Sequence, residues 1–182
     1  MKKLMSILLV VVVLTLGLSG MAMAATDTAT QGVTVTVDEI AVIDVTGGAI
    51  TMAVVAPTAG GALPADVTNA TAYLQYTCNG ADPANATTPT TRKVTVAISA
   101  ATPATYDFNV VASAPATDLG TAAAAVTLGI TAADLITAIG NGNTGIGAAD
   151  GSNLTYTVTC VTMPAVDAGT VYTVTYTLTA VA

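Results

Sequence analysis

Residues 152–160 read SNLTYTVTC, and residues 172–179 read YTVTYTLT. Apolar side chains occupy every second position in both segments, and threonine fills most of the positions between them. Because successive side chains of a β-strand point to opposite faces, this period of two predicts two half-buried strands. The side chains predicted to face inward are Leu154, Tyr156, Val158 and Cys160 in the first segment and Tyr172, Val174, Tyr176 and Leu178 in the second.

The same alternation recurs along most of the chain, with glycine-rich, proline-containing or small polar loops between the apolar runs. About eight short strands joined in this way are typical of an all-β domain, and we predict a Greek-key β-sandwich of the Ig-like or jelly-roll type. The other predicted strands lie at Val33–Val45, Ile50–Val54, Ala72–Cys78, Val94–Ile98, Tyr106–Val110 and Val126–Ile130.

One segment, Thr131–Ile139, departs from the alternation. Its first four residues, TAAD, fit a helix capping box with aspartate in place of the usual glutamate. Leu135, Ile136 and Ile139 then share one helical face, and Gly140 follows as a C-terminal cap. The spacing predicts one short helix of about two turns.

The first predicted strand is long, at about thirteen residues where five or six are usual. Residues 33–37 alternate valine with threonine, but from Ile40 the apolar positions are shifted by one residue. Either a β-bulge at Asp38–Glu39 bends one long strand, or the early part pairs with an edge strand of a neighbouring subunit. The second interpretation gives a candidate assembly strand: Val33, Val35 and Val37.

Residues 1–24 have the layout of a secretory signal peptide. Lys2 and Lys3 precede an apolar run, and Ala22-Met23-Ala24 supplies the small residues that signal peptidase accepts. The run is short for a membrane anchor, which needs roughly 20 residues. We therefore expect cleavage after Ala24, a single mature domain of residues 25–182 without a membrane span, and a secreted location: extracellular, periplasmic or at the cell surface.

After such a cleavage, only Arg92 and Lys93 stand against eleven acidic residues, which is a net charge of −9. A nucleic acid or an anionic membrane surface is bound by clustered cations, so this balance excludes both as partners. The acidity is typical of a protein that is kept soluble and free of unspecific contacts.

The two cysteines, Cys78 and Cys160, fall on the apolar side of two predicted strands, near their ends. An even number of cysteines in a secreted chain favours a disulfide, and two cysteines allow only one pairing within the chain. We predict a disulfide between Cys78 and Cys160, with two free buried thiols as the alternative.

Few residues in the chain are suited to catalysis. There is no histidine, which removes the commonest general base and most transition-metal sites. No serine lies in a G-x-S-x-G motif. Asp38 and Glu39 are adjacent carboxylates, and on a regular strand they point to opposite faces, unlike the pair of a glycosidase. We therefore predict that the protein is not an enzyme.

Two binding interpretations stay open beside a structural one. Asp150, Ser152 and Asn153 place oxygen atoms in one loop, and Ca²⁺ prefers oxygen ligands, although the D-x-D-x-D-G pattern is absent. No other cofactor is indicated. The threonine-lined faces allow ice or carbohydrate recognition, or they reflect the preference of threonine for exposed strand positions.

The overall layout resembles a known class of proteins. The chain combines a cleaved signal peptide, a threonine- and valine-rich extension, the predicted disulfide and an alternating C-terminal strand with Tyr172, Tyr176 and Leu178. This layout is similar to that of the secreted pilin-like and spore-coat-U-like subunits of bacteria. This resemblance implies a β-sandwich surface subunit that assembles by strand donation.

From these observations we expect a secreted structural or cell-surface protein, in particular a filament subunit that self-assembles by strand addition. Its partners would be copies of itself or other surface proteins. The alternative is an extracellular β-sandwich module that binds a glycan or Ca²⁺.

Overall fold

The computed structural model describes residues 28–79, 91–166 and 169–181, so the predicted signal peptide lies outside the described residues. The chain divides into two compact units, residues 1–37 and 38–182. The described residues form strands and no helix. The strands, in chain order, are β1 (Ala41–Thr46), β2 (Val67–Cys78), β3 (Thr91–Ile98), β4 (Tyr106–Ala112), β5 (Thr121–Ala122), β6 (Val126–Thr127), β7 (Ala133–Ile139), β8 (Gly142–Asn143), β9 (Ser152–Cys160) and β10 (Val174–Val181).

These strands form two antiparallel sheets. Sheet A has the order β1-β2-β9-β4-β6, and β8 pairs with the end of β2. Sheet B has the order β10-β3-β7-β5. Strands that are distant in the chain become neighbours, because β9 lies between β2 and β4 while β3 lies between β10 and β7.

Both sheets contribute inward-facing side chains to one hydrophobic core. Leu74 and Leu154 of sheet A and Val94 and Ile136 of sheet B are completely buried and belong to the same cluster. Each fully buried aliphatic side chain stabilises the fold by roughly 1.5–3 kcal/mol. The shared core is therefore what holds the two sheets against each other, as in a β-sandwich.

The alternation predicted β2, β3, β4, β9 and β10 correctly. In β9 the pattern is unbroken, with every second residue buried and half-buried residues between them. Two other predictions fared worse. Val126–Ile130 contributes only the two residues of β6, and Ile50–Val54 forms no strand. Ile50 and Met52 nevertheless pack against the core.

The helix predicted at Thr131–Ile139 is wrong, because most of this segment is strand β7. Its pairing with β3 slips twice, as the partners show: Ile139 with Arg92, Ile136 with Val94, and Asp134 with Thr95. Each slip inserts one extra residue into β7, as in a β-bulge. Leu135 and Ile136 are consequently both buried, and Ala138 has a left-handed φ of 54°. Two bulges thus give a strand the apolar spacing of a helix.

The long first strand predicted at Val33–Val45 is much shorter in the structure. Strand β1 begins only at Ala41, and residues 28–40 form no strand. Asp38 and Glu39 lie before the strand, so they do not form a bulge within it. The interpretation of one long bent strand is therefore wrong.

The placement of Ile136 inside the core makes a stability prediction. Ile136→Ala is expected to lower the free energy of unfolding by about 2–5 kcal/mol, because it leaves a cavity between the sheets. Ile130→Ala removes the same atoms from a side chain that is 66% exposed, and it should change stability by less than about 0.5 kcal/mol. Urea unfolding followed by circular dichroism measures both variants. Equal effects would contradict the buried position of Ile136.

Candidate functional site

The outermost strands of the two sheets, β1 and β10, lie beside each other. Among the described residues each is paired on one edge, β1 with β2 and β10 with β3. At the far ends of the sheets, β6 and β5 have two residues each. The long unpaired edges of the described sheets are therefore on this side. A cleft of about 290 Å³ separates them, lined by Ile43, Asp44, Val45, Val174, Thr175 and Tyr176.

The free edge of β10 presents four residues with outward backbone groups. In an antiparallel pair, residues bonded to the partner strand alternate with residues whose N–H and C=O point away from it. The Ser99 N–H donates to the Thr173 carbonyl at 3.0 Å, which makes Thr173 and Ser99 a bonded pair. The alternation then turns four residues outward: Val174, Tyr176, Leu178 and Ala180.

The free edge of β1 is shorter and partly occupied. The Asn79 N–H donates to the Ile40 carbonyl at 3.1 Å, which fixes the phase of the alternation. Asp44 Oδ1 accepts a hydrogen bond from the Val45 N–H at 2.8 Å. One outward donor of β1 is thus satisfied by a charged side chain of the same strand. The outward residues of β1 are Ala41, Ile43 and Val45.

The segment that leads into β1 is anchored by Asn79, the residue after β2. Its Nδ2 donates to the Asp38 carbonyl at 2.7 Å, and its Oδ1 accepts from the Ile40 N–H at 2.6 Å. One side-chain amide therefore holds the backbone on both sides of Glu39. The first residues of the 38–182 unit are thus hydrogen-bonded to the residue that follows β2 in sheet A.

Glu39 meets a buried cation, Arg92, at the start of β3. Arg92 Nη2 donates to Glu39 Oε1, and Arg92 Nε donates to the Asn79 carbonyl at 3.3 Å. The Arg92 side chain is 5% exposed, whereas the Glu39 side chain is 63% exposed. The buried guanidinium therefore depends on a largely solvated carboxylate and one carbonyl. The neighbouring Lys93 pairs with Asp134 of β7 at 2.8 Å.

Sequence reasoning missed this ion pair, although the alternation contained a signal for it. Val94, Val96 and Ile98 face the core, and Arg92 occupies the same phase of the strand. A charge on the inward phase needs a partner of opposite sign. Glu39 is the only glutamate in the chain, but nothing in its sequence position identifies it as that partner.

The ion pair generates a second stability prediction. Removing one partner of a buried ion pair costs about 3–5 kcal/mol, and the exposure of Glu39 reduces the expected cost of Glu39→Gln to about 1–2 kcal/mol. Asp107→Asn is the matched control, because Asp107 is an exposed carboxylate of β4 outside both ion pairs. Urea unfolding at low and high salt measures the difference. A loss of stability of the same size in the control would show that general charge is responsible.

The three valines of the candidate assembly strand belong to the 1–37 unit. Val33, Val35 and Val37 are 77%, 80% and 72% exposed, and no strand includes them. Each aliphatic side chain left in water forgoes roughly 1.5–3 kcal/mol relative to full burial. The assembly role of these valines stays a prediction, and their exposure is a property that such a role requires.

Tyrosine hydroxyl groups join sheet A to β10 and the segment before it. Tyr156 of β9 and Tyr176 of β10 are hydrogen-bonded through their hydroxyl oxygens at 2.5 Å. The hydroxyl oxygens of Tyr106 and Tyr172 are hydrogen-bonded at 2.8 Å. Burial raises the pKa of both Tyr156 and Tyr176, so this pair stays neutral and bonded near pH 7. These contacts hold β10 through its side chains, and within the described part of the chain its backbone pairs with β3 alone.

The disulfide predicted between Cys78 and Cys160 is wrong, because both residues are buried free thiols. Cys160 comes two residues after Val158, which opposes Val67 at the start of β2, whereas Cys78 ends β2. Positions 67 and 78 are eleven residues apart, or roughly 36 Å along a strand, and bridged Cα atoms lie within about 7 Å. The alternation placed both cysteines on the correct face but at opposite ends of the sheet.

The thiols provide a direct chemical test of this arrangement. Burial shields both and raises the pKa of Cys78, so neither should react with Ellman's reagent in the native protein. In urea without reductant, both thiols of each chain should react. Urea samples that react only after treatment with a reductant would contradict the structure.

The residues predicted to bind Ca²⁺ are buried or hydrogen-bonded to the protein itself, and Ca²⁺ binding stays a prediction. Asp150 Oδ2 accepts from the Gly147 N–H at 2.6 Å within its own turn. Ser152 is buried, and Asn153, the next residue of β9, donates from Nδ2 to the Ala70 carbonyl at 2.8 Å. Among residues 28–79, 91–166 and 169–181, no group of three His, Cys, Asp or Glu side chains is placed to hold a metal ion.

No protein-family model, curated protein or solved structure matches this chain. In the described part of the chain, no helix is long and apolar enough to cross a membrane. The function is therefore inferred from the residues of the protein itself.

Proposed function

We propose that this protein is a secreted structural protein of the cell surface whose copies assemble into filaments by strand addition. One chain contains both an alternating segment, residues 33–37, that belongs to no strand and two long sheet edges with unpaired backbone groups. This coexistence is the observation that carries the proposal. The backbone N–H and C=O groups of a sheet edge can be paired by an added strand. The segment 33–37 can become that strand, and the sheet edge then gives the segment its hydrogen-bond partners.

The geometry of such a contact favours filaments over closed dimers. The donor lies in the 1–37 unit and the acceptor edge in the 38–182 unit, so the two contacting surfaces are different. Contacts between different surfaces repeat head to tail and form open chains when the rotation does not close. Strand addition also relies on backbone hydrogen bonds and apolar side chains, which suits a chain with few charges of either sign.

The fold type belongs to the same proposal. The sheet orders, in which β9 lies between β2 and β4, fit the Greek-key connections of Ig-like and jelly-roll sandwiches. The predicted signal peptide and the layout shared with pilin-like and spore-coat-U-like subunits support assembly outside the cell. The lack of histidine and the burial of both thiols support a role without catalysis.

Replacing the three valines tests the proposal. The triple variant Val33→Thr, Val35→Thr, Val37→Thr keeps the shape and strand preference of the segment but replaces a methyl group with a hydroxyl at each position. Burying three hydroxyls costs about 3 kcal/mol in total, which should raise the concentration needed for assembly roughly 100-fold. Sedimentation of the mature protein and negative-stain electron microscopy measure this concentration.

The matched control makes the same chemical change at exposed valines elsewhere. Val55, Val166 and Val171 are 65%, 105% and 86% exposed, and their triple replacement by threonine should leave assembly unchanged. Monomers of the unaltered mature protein at high concentration, unaffected by deletion of residues 25–37, would refute the proposed function.

A further inference from the structure

We propose that the acceptor is the free edge of β10, and that residues 32–37 of a second copy add to it as a further strand of sheet B. This inference rests on the proposed function, which leaves open whether β1 or β10 receives the strand. The choice follows from how each edge treats its outward backbone groups and from how the side chains of donor and acceptor match.

The β1 edge is protected against pairing. Asp44 occupies the outward N–H of Val45, so an incoming strand would have to break that hydrogen bond. It would also bring its own carbonyl groups next to a carboxylate. Charged side chains at a sheet edge are a common means of preventing unwanted strand addition.

The β10 edge has none of this protection. Its sequence, VTYTLTAV, contains no charged residue, proline or glycine, and its pairing with β3 runs from Val174 to Val181 without a bulge. A long, regular and uncharged edge strand attracts other strands unless something covers it. In the described residues β10 pairs with β3 alone. A strand from a second copy would provide the missing cover.

The donor matches β10 in its side-chain pattern. Residues 33–37 read VTVTV, and residues 174–179 read VTYTLT. When the two alternations are aligned, the valines of the donor lie on the inner face beside Val174, Tyr176 and Leu178, which pack partly against the core. The threonines of the donor then lie beside Thr175 and Thr177 on the outer face, and threonine pairs across strands are favourable.

The cleft between β10 and β1 lies on the side toward which the inward side chains of a strand added to β10 would point. It is lined by both apolar and polar side chains: Ile43, Asp44 and Val45 of β1 and Val174, Thr175 and Tyr176 of β10. A strand added to β10 carries its inward side chains toward this space, because side chains of neighbouring strands on one face stand side by side. The added strand would thus extend sheet B beyond β10.

Site-directed cross-linking between two copies distinguishes the edges. The mature chain with Cys78→Ala and Cys160→Ala serves as the background, and circular dichroism checks that it folds. One copy carries Thr36→Cys, and the other carries Thr175→Cys or Thr177→Cys in β10. The control carries Val42→Cys, which lies at an exposed position of β1 and leaves Asp44 in place. Mild oxidation followed by a non-reducing gel measures the disulfide-linked dimer.

We expect at least about tenfold more linked dimer with a β10 position than with the β1 position, because a disulfide forms only where Cα atoms lie within roughly 7 Å. Preferential linking to β1, or filaments that link to neither edge, would overturn the choice of β10 while leaving assembly intact. The absence of both filaments and links would instead overturn the proposed function itself.

Discussion

Each strand in these sheets has two edges, and backbone hydrogen bonding must be completed on both or left to solvent. The shared core between the sheets decides which strands lie inside. β2, β9, β3 and β7 contribute fully buried side chains and are paired on both sides. The strands with an unpaired backbone edge therefore lie at the ends of the sheets. At one end β6 and β5 have only two residues each, whereas at the other end β1 and β10 are long enough to pair with a further strand.

One buried charge contributes to the structure at the start of β3 and in the segment before β1. Arg92 is drawn inward because its strand position places it in the phase of the core residues, and it then needs Glu39 and the Asn79 carbonyl to offset its burial. The same asparagine holds Asp38 and Ile40. The partners of the buried cation therefore lie in the segment that leads into β1 and in the asparagine that anchors this segment.

The sequence predicted the parts of this fold that follow from alternation alone. β9 and β10 alternate without interruption, and their prediction needed no knowledge of their partners. β7 could not be predicted in this way, because its two bulges arise from its pairing with β3 and make Leu135 and Ile136 both face inward. Alternation likewise placed Cys78 and Cys160 on the inner face. It contains no information on which ends of two strands meet, so the predicted disulfide was wrong.

The candidate site was predicted in part, for a related reason. The valines at positions 33, 35 and 37 were identified from their spacing, whereas the protection of β1 by Asp44 and the open edge of β10 depend on the order of strands in the sheets. Sheet order follows from long-range packing, which local periodicity does not encode. The proposed donor could therefore be identified from the sequence, whereas the proposed acceptor could be identified only from the structure.

Two segments with the alternation of a strand do not form one, and the contrast between them is informative. Ile50 and Met52 lie outside any strand but still pack against the core, so their apolar side chains already have a place within the chain. Val33, Val35 and Val37 are more than two-thirds exposed. Alternation is typical of a strand with one buried face, and the described residues provide the segment 33–37 with neither a strand partner nor burial. In the assembly that we propose, the β10 edge of a second copy supplies both.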